Sequence, residues 1–134
     1  MNCFIIGIGT SAPNGIEIIK NVYLEILKYE QIYIIAISPM YLNSAFGKET
    51  LFEFINSSIK LKTSMHPDSL WFVLKTIENK FGRVRIKKNG PRLIDLDILW
   101  SNIGSIKTAY ITIPHLEFKK RPVALKTAND IGLI

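Results

Sequence analysis

Only one cysteine, Cys3, occurs in this 134-residue chain. It can form no internal disulfide and has no companions for a zinc site, which fits a reducing cytoplasm. Long apolar runs are missing too: nothing approaches the roughly 18–20 residues that a membrane-spanning helix needs. The opening MNCFIIGIGTSAPNG has a short apolar run without a basic flank before it, so it reads as a first strand rather than a signal peptide. Its GIGTS stretch has neither the glycine spacing of a dinucleotide fingerprint nor the lysine of a P-loop. Acidic residues are the scarcer charge, with 11 Asp and Glu against 17 Lys and Arg, a net charge of +6. That excess favours an anionic partner: nucleic acid, an acidic membrane surface or a phosphorylated small molecule. There is no internal repeat, low-complexity tract or linker. With 48% hydrophobic and 21% charged residues, the composition is ordinary for a globular protein, and the length bounds a single domain over residues 1–134.

The patterning predicts a strand over 3–9 (CFIIGIG), then a helix over 14–29 with Ile18, Val22 and Ile26 at helical spacing and Asn14 as its cap. A second strand over 32–38 stops at Pro39. Residues 39–51, PMYLNSAFGKETL, read as a loop. A third strand follows over 52–62, and a second helix over 66–81 has Pro67 in its first turn and Gly82 after it. A polar loop of about a dozen residues leads to a fourth strand over 94–100; it exceeds the usual connection and is a candidate functional loop. A fifth strand is expected over 105–113 and a short last helix over 119–130. The order β-α-β-β-α-β indicates an α+β, ferredoxin-like fold, helices packed on a mainly antiparallel sheet, with an additional C-terminal strand and helix. That fold serves many functions, so it decides none.

Residues 90–100, GPRLIDLDILW, hold the informative chemistry. Side chains alternate along a strand, so Asp95 and Asp97 project from one face while Leu96 and Ile98 project from the other. Two residues of rise is about 6–7 Å. At an effective dielectric near 20, the two ionised carboxylates repel by about 2–3 kcal/mol. Such a pair either faces water on an exposed strand or holds something positive. Basic residues crowd nearby, at Arg83, Arg85, Lys87, Lys88 and Arg92, and again at Lys119, Lys120 and Arg121.

These pieces together resemble the pterin pyrophosphokinases of folate biosynthesis. That family carries R-V-R, here at 83–85, then G-P-R-x-x-D-L-D-I, here at 90–98, then P-H-x-x-x-x-x-R, here at 114–121. The resemblance implies transfer of the β,γ-pyrophosphoryl group of ATP to the hydroxymethyl group of 6-hydroxymethyl-7,8-dihydropterin, with release of AMP. It implies Asp95 and Asp97 as ligands of two Mg2+ ions, a set suited to an oxygen-seeking cation that keeps waters and substrate phosphates in its shell. Arg83 and Arg92 join them as catalytic residues by the same resemblance, since guanidinium forks suit phosphate oxygens. The ATP site then comprises Lys75, Glu78, Arg83, Arg85, Arg92, Ile98, His115 and Arg121. The pterin site comprises Thr10, Ser44, Ala45, Phe46, Phe54, Asn56, Asp95 and Val123, with Phe54 stacking on the ring and the Asn56 amide bonding its edge. Outside this context, Phe54 beside Asn56 reads as a core aromatic next to a surface amide, His115 as a structural histidine, and Lys75 and Glu78 as solvated helix charges.

Two positions depart from the family pattern. Val123 stands where a second stacking aromatic is usual, and Asn89 where the loop commonly has an aromatic. Losing one stacking partner costs on the order of 1 kcal/mol of pterin affinity. One alternative is therefore an ATP- and pterin-binding homologue with weakened catalysis. Another is an RNA-binding module of the same fold, but neither SIKLKTS nor LIDLDIL carries the aromatic strand motif such modules use. The expectation is a monomeric cytoplasmic enzyme whose partners are ATP and a reduced pterin, with no nucleic acid and no membrane.

Overall fold

A computed structural model of the chain describes residues 1–46, 51–82 and 94–115, with side chains for all of these except 43–46 and 51–53. Three strands carry the predicted framework: β1 (Asn2–Thr10), β2 (Ile32–Ile37) and β4 (Leu51–Thr63). They join β5 (Asp95–Ser101) in the antiparallel order β2-β4-β1-β5, the strand order of a ferredoxin-like sheet. Between β2 and β4, the expected loop is instead a strand, β3 (Tyr41–Phe46), paired along β4 from Tyr41↔Asn56 to Phe46↔Leu51. Local signals of Pro, Asn and Ser pointed to a turn, but the long β4 offers a partner edge, and tertiary pairing outweighs weak strand propensity. The expected fifth strand also differs. It is a small hairpin, β6 (Ile106–Lys107) and β7 (Thr112–Ile113), whose turn is organised by the Thr108 hydroxyl accepting from the N–H groups of Tyr110 and Ile111. The helix expected over 119–130 lies outside the described residues.

Both predicted helices form. α1 (Gly15–Leu27) buries Ile19, Val22 and Ile26, positions spaced three and four apart, as one face of a helix requires. Asn14 precedes it, but no side-chain capping bond is made; only its carbonyl engages the helix, accepting from Ile18 N–H. α2 (Pro67–Lys80) is capped by His66, whose Nδ1 accepts from Asp68 N–H at 3.1 Å, with Pro67 filling the first turn where no N–H is needed.

The helices lie against one side of the sheet. Phe4, Ile6 and Ile8 of β1 pack there with Ile59 and Leu61 of β4, Leu96 and Ile98 of β5, and Leu70, Leu74 and Ile77 of α2. Period two then dictates what the opposite side displays: Gly7 and Gly9 from β1, Asn56 and Ser58 from β4, Asp95 and Asp97 from β5. Replacing Ile6 with Ala should cost about 2–5 kcal/mol of stability by urea unfolding, the range for truncating a buried aliphatic side chain. Leu24→Ala, at a position 59% exposed, should change it by no more than about 0.5 kcal/mol.

Candidate active site

Strand register brings the acidic pair onto a floor of glycine. Gly9 stands opposite Asp95 on one flank and Asn56 on the other, while Gly7 stands opposite Asp97 and Ser58. Neither glycine has a side chain to occupy the space between β4 and β5. Asn56 leans into that space, its Oδ1 only 3.2 Å from where a Cβ on Gly9 would stand. Phe54, two residues along β4 and therefore on the same face, is 37% exposed. The candidate pterin residues Phe54 and Asn56 thus share one surface with the candidate metal ligands.

A bulge finishes the arrangement. Ile6 pairs with Ile98 and Ile5 with Trp100, leaving Leu99 as an extra residue in β5. The Leu99 carbonyl accepts from the N–H of His115 at 2.9 Å, which ties the end of the hairpin to the strand that carries the aspartates. His115 Nε2 then lies 3.9 Å from Asp97 Oδ1, both side chains about a quarter exposed. Beside them opens a pocket of about 440 Å³, lined by Trp71 of α2, residues 96–98 of β5, and Tyr110, Ile111, Thr112 and His115. One end is aromatic, with the Trp71 and Tyr110 rings stacked 5.1 Å apart. Asp97 and His115 are among the pocket's polar lining residues.

Of the expected residues, Asp95, Asp97, Phe54 and Asn56 share one face of the sheet, and Asp97, Ile98 and His115 line the pocket. Thr10 is placed differently. Its side chain is 2% exposed on the helix side, beside the start of α1, and its hydroxyl accepts from Ala12 N–H. Lys75 and Glu78 are not solvated helix charges; Glu78 is fully buried, and both side chains contact the backbone of Leu96. Ser44, Ala45 and Phe46 belong to β3. Arg83, Arg85, Arg92, Arg121 and Val123 lie outside the described residues. The aromatic pocket walls, Trp71 and Tyr110, were not foreseen. In the sequence they are a helix residue and a hairpin residue almost 40 positions apart, and no local signal joins them.

A family model described as 7,8-dihydro-6-hydroxymethylpterin-pyrophosphokinase (HPPK) matches residues 5–132. The chain belongs to the HPPK family. Curated relatives include the 2-amino-4-hydroxy-6-hydroxymethyldihydropteridine pyrophosphokinases of Synechocystis and Helicobacter pylori. The first is 31% identical over 96% of this chain and 65% of that protein, and the second is 32% identical over 92% and 77%. The chain thus spans a little under two thirds of the Synechocystis protein. A crystal structure of an HPPK-DHPS in complex with substrates superposes with a TM-score of 0.71 at 16% identity, over 97% of this chain and 40% of that one. Plasmodium falciparum HPPK-DHPS with pterin and p-hydroxybenzoate gives 0.69 at the same identity. At that identity the likeness bears on the fold, and it agrees with the ferredoxin-like order of the sheet.

Among the described residues, no three His, Cys, Asp or Glu side chains gather as a self-sufficient metal site. The HPPK chain instead offers two half-buried carboxylates on a glycine floor. That suits magnesium, which usually takes one or two protein carboxylates and completes its shell with waters and phosphates. Gly9→Ala should leave the fold in place, because its Cβ would press on a side-chain amide rather than on backbone. The Asn56 side-chain amide resonances should move in a 15N spectrum while the melting temperature stays within a few degrees of wild type.

Proposed function

We propose that this HPPK-family chain transfers the β,γ-pyrophosphoryl group of ATP to the hydroxymethyl group of 6-hydroxymethyl-7,8-dihydropterin and releases AMP. The observation that carries the reading is the pair Asp95 and Asp97 on one sheet face with Phe54 and Asn56, with Asp97 also lining the aromatic-walled pocket. Asp95 and Asp97 are the residues that would hold magnesium. When bound there, two such ions neutralise the triphosphate and orient it for in-line attack.

The chain's own residues divide the remaining work. Trp71 and Tyr110 give the nucleotide's base a flat apolar wall. In the same pocket, the His115 imidazole contacts the phosphate chain, and the fixed position of its backbone N–H holds the ring there. Asn56 presents both a donor and an acceptor to the pterin edge, and Phe54 supplies one stacking face. Arg83, Arg85, Arg92 and Arg121, by their place in the family motifs, supply guanidinium groups to the phosphates. No general base is assigned. Positioning and electrostatics carry phosphoryl transfer, where little covalent chemistry falls to the protein. The enzyme works as a monomer in the cytoplasm; the lone Cys3 supports a reducing compartment.

Calorimetric titration with a non-hydrolysable ATP analogue, with and without magnesium, tests the reading together with an AMP-release assay. Wild type should bind more tightly with magnesium and release AMP only when the pterin is added. Asp97→Ala should lose the magnesium dependence and slow AMP release by about 100-fold or more, the scale lost with a preorganised electrostatic stabiliser. Equal affinity under all conditions would remove the metal site. Tight binding without AMP release would instead favour the weakened homologue that Val123 and Asn89 suggest.

A further inference from the structure

Among the described residues, β5 stands at the edge of the main sheet: one of its flanks has β1 as partner and the other has no strand in that sheet. Backbone groups on such a flank must find other partners or water. At Leu96 the partners are two charged side chains of α2. Glu78 Oε1 accepts the Leu96 N–H at 2.7 Å, and Lys75 Nζ donates to the Leu96 carbonyl at 3.2 Å. The two side chains also meet each other, Lys75 Nζ to Glu78 Oε1 at 3.0 Å. Lys75 further sits 5.6 Å from the centroid of the Trp71 ring.

The placement is specific to the chemistry. The Leu96 N–H belongs to the peptide that joins Asp95 to Leu96, and the Leu96 carbonyl to the peptide that joins Leu96 to Asp97. Between them these are the only two peptide units separating the carboxylate-bearing residues. Each is held from the side by a charge-assisted bond, the stronger class of hydrogen bond. A fully buried glutamate is costly, and a buried ion pair adds little stability over apolar packing, so stability alone is a poor account of its use here. The bracket is also neutral as a pair, so it stiffens the strand without adding net negative charge beside two aspartates.

We infer that Lys75 and Glu78 are positioning residues that fix the separation and direction of Asp95 and Asp97 for divalent cations. Neither side chain reaches the cation; both act through the Leu96 backbone. Through Trp71, the same lysine ties the acidic pair to the pocket wall. This inference rests on the magnesium site proposed above.

The test uses the full chain as wild type, Lys75→Met, Lys75→Arg and Glu78→Gln. Two quantities are read: the Leu96 amide resonance in a 15N spectrum, and the magnesium concentration giving half-maximal binding of a non-hydrolysable ATP analogue. Lys75→Met and Glu78→Gln should displace the Leu96 resonance. They should also raise the magnesium requirement about 10-fold, the lower end of the loss seen when a ligand's supporting partner is removed. Lys75→Arg, which keeps a donor, should recover most of the magnesium dependence. If Glu78→Gln does not fold, Lys75→Met decides the matter, since that side chain is partly exposed. An unchanged magnesium requirement in a variant whose Leu96 resonance has moved would overturn the inference and leave the site intact. Wild type that binds equally with and without magnesium would overturn the site itself, and the inference with it.

Discussion

The register between β1 and β5 is the constraint on which the site depends. Asp95 and Asp97 face Gly9 and Gly7 because Leu96 and Ile98 are committed to the core beneath α2. A slip of one residue would turn both carboxylates into that core and both aliphatic side chains out of it. Burying unpaired carboxylates costs several kcal/mol each, so the hydrophobic side of the sheet fixes where its acidic side chains point. The repulsion between the two carboxylates is small by comparison, about 2–3 kcal/mol at 6–7 Å. The fold can therefore carry an acidic pair on this face at a modest electrostatic cost.

The two sides of the sheet do different work. The helix side is apolar and pins the strands; the other side carries Gly9, Asn56 and the two carboxylates, with Leu99 packed over Gly7. The edge of β5 belongs to neither side. There α2 supplies Lys75 and Glu78 to the Leu96 backbone, and the hairpin supplies the His115 N–H to the Leu99 carbonyl. An edge strand would ordinarily be a place to pair with another chain. At Leu96 and Leu99 those polar groups are taken by the same elements that wall the pocket, so covering the edge there and building the site are one structural solution.

What the sequence made legible follows from range. Period two over 94–100 identified the carboxylate face, and helical spacing identified α1 and α2, because those signals lie within a few residues of each other. β3 was hidden: YLNSAF has strand character only when β4 lies beside it. The hairpin was read as one continuous strand because its turn is set by Thr108, whose N–H donates to the Ile111 carbonyl and whose hydroxyl also donates to Asp68 on α2, bonds that no local pattern marks. His115 was identified through its motif, while its tie to Leu99 depends on a bulge that no spacing announces. Trp71 and Tyr110 were missed because the pocket exists only where helix, edge strand and hairpin meet. Lys75 and Glu78 were placed at the nucleotide by the family resemblance, and their bonds to the Leu96 backbone were hidden because a helix surface normally presents its charges outward.

The most direct measurement of the central claim is a crystal structure with magnesium and a non-hydrolysable ATP analogue. The account predicts metal density bridging carboxylate oxygens of both Asp95 and Asp97 to phosphate oxygens, with the base against Trp71. Carboxylates turned to solvent, or a triphosphate bound away from β5, would contradict it.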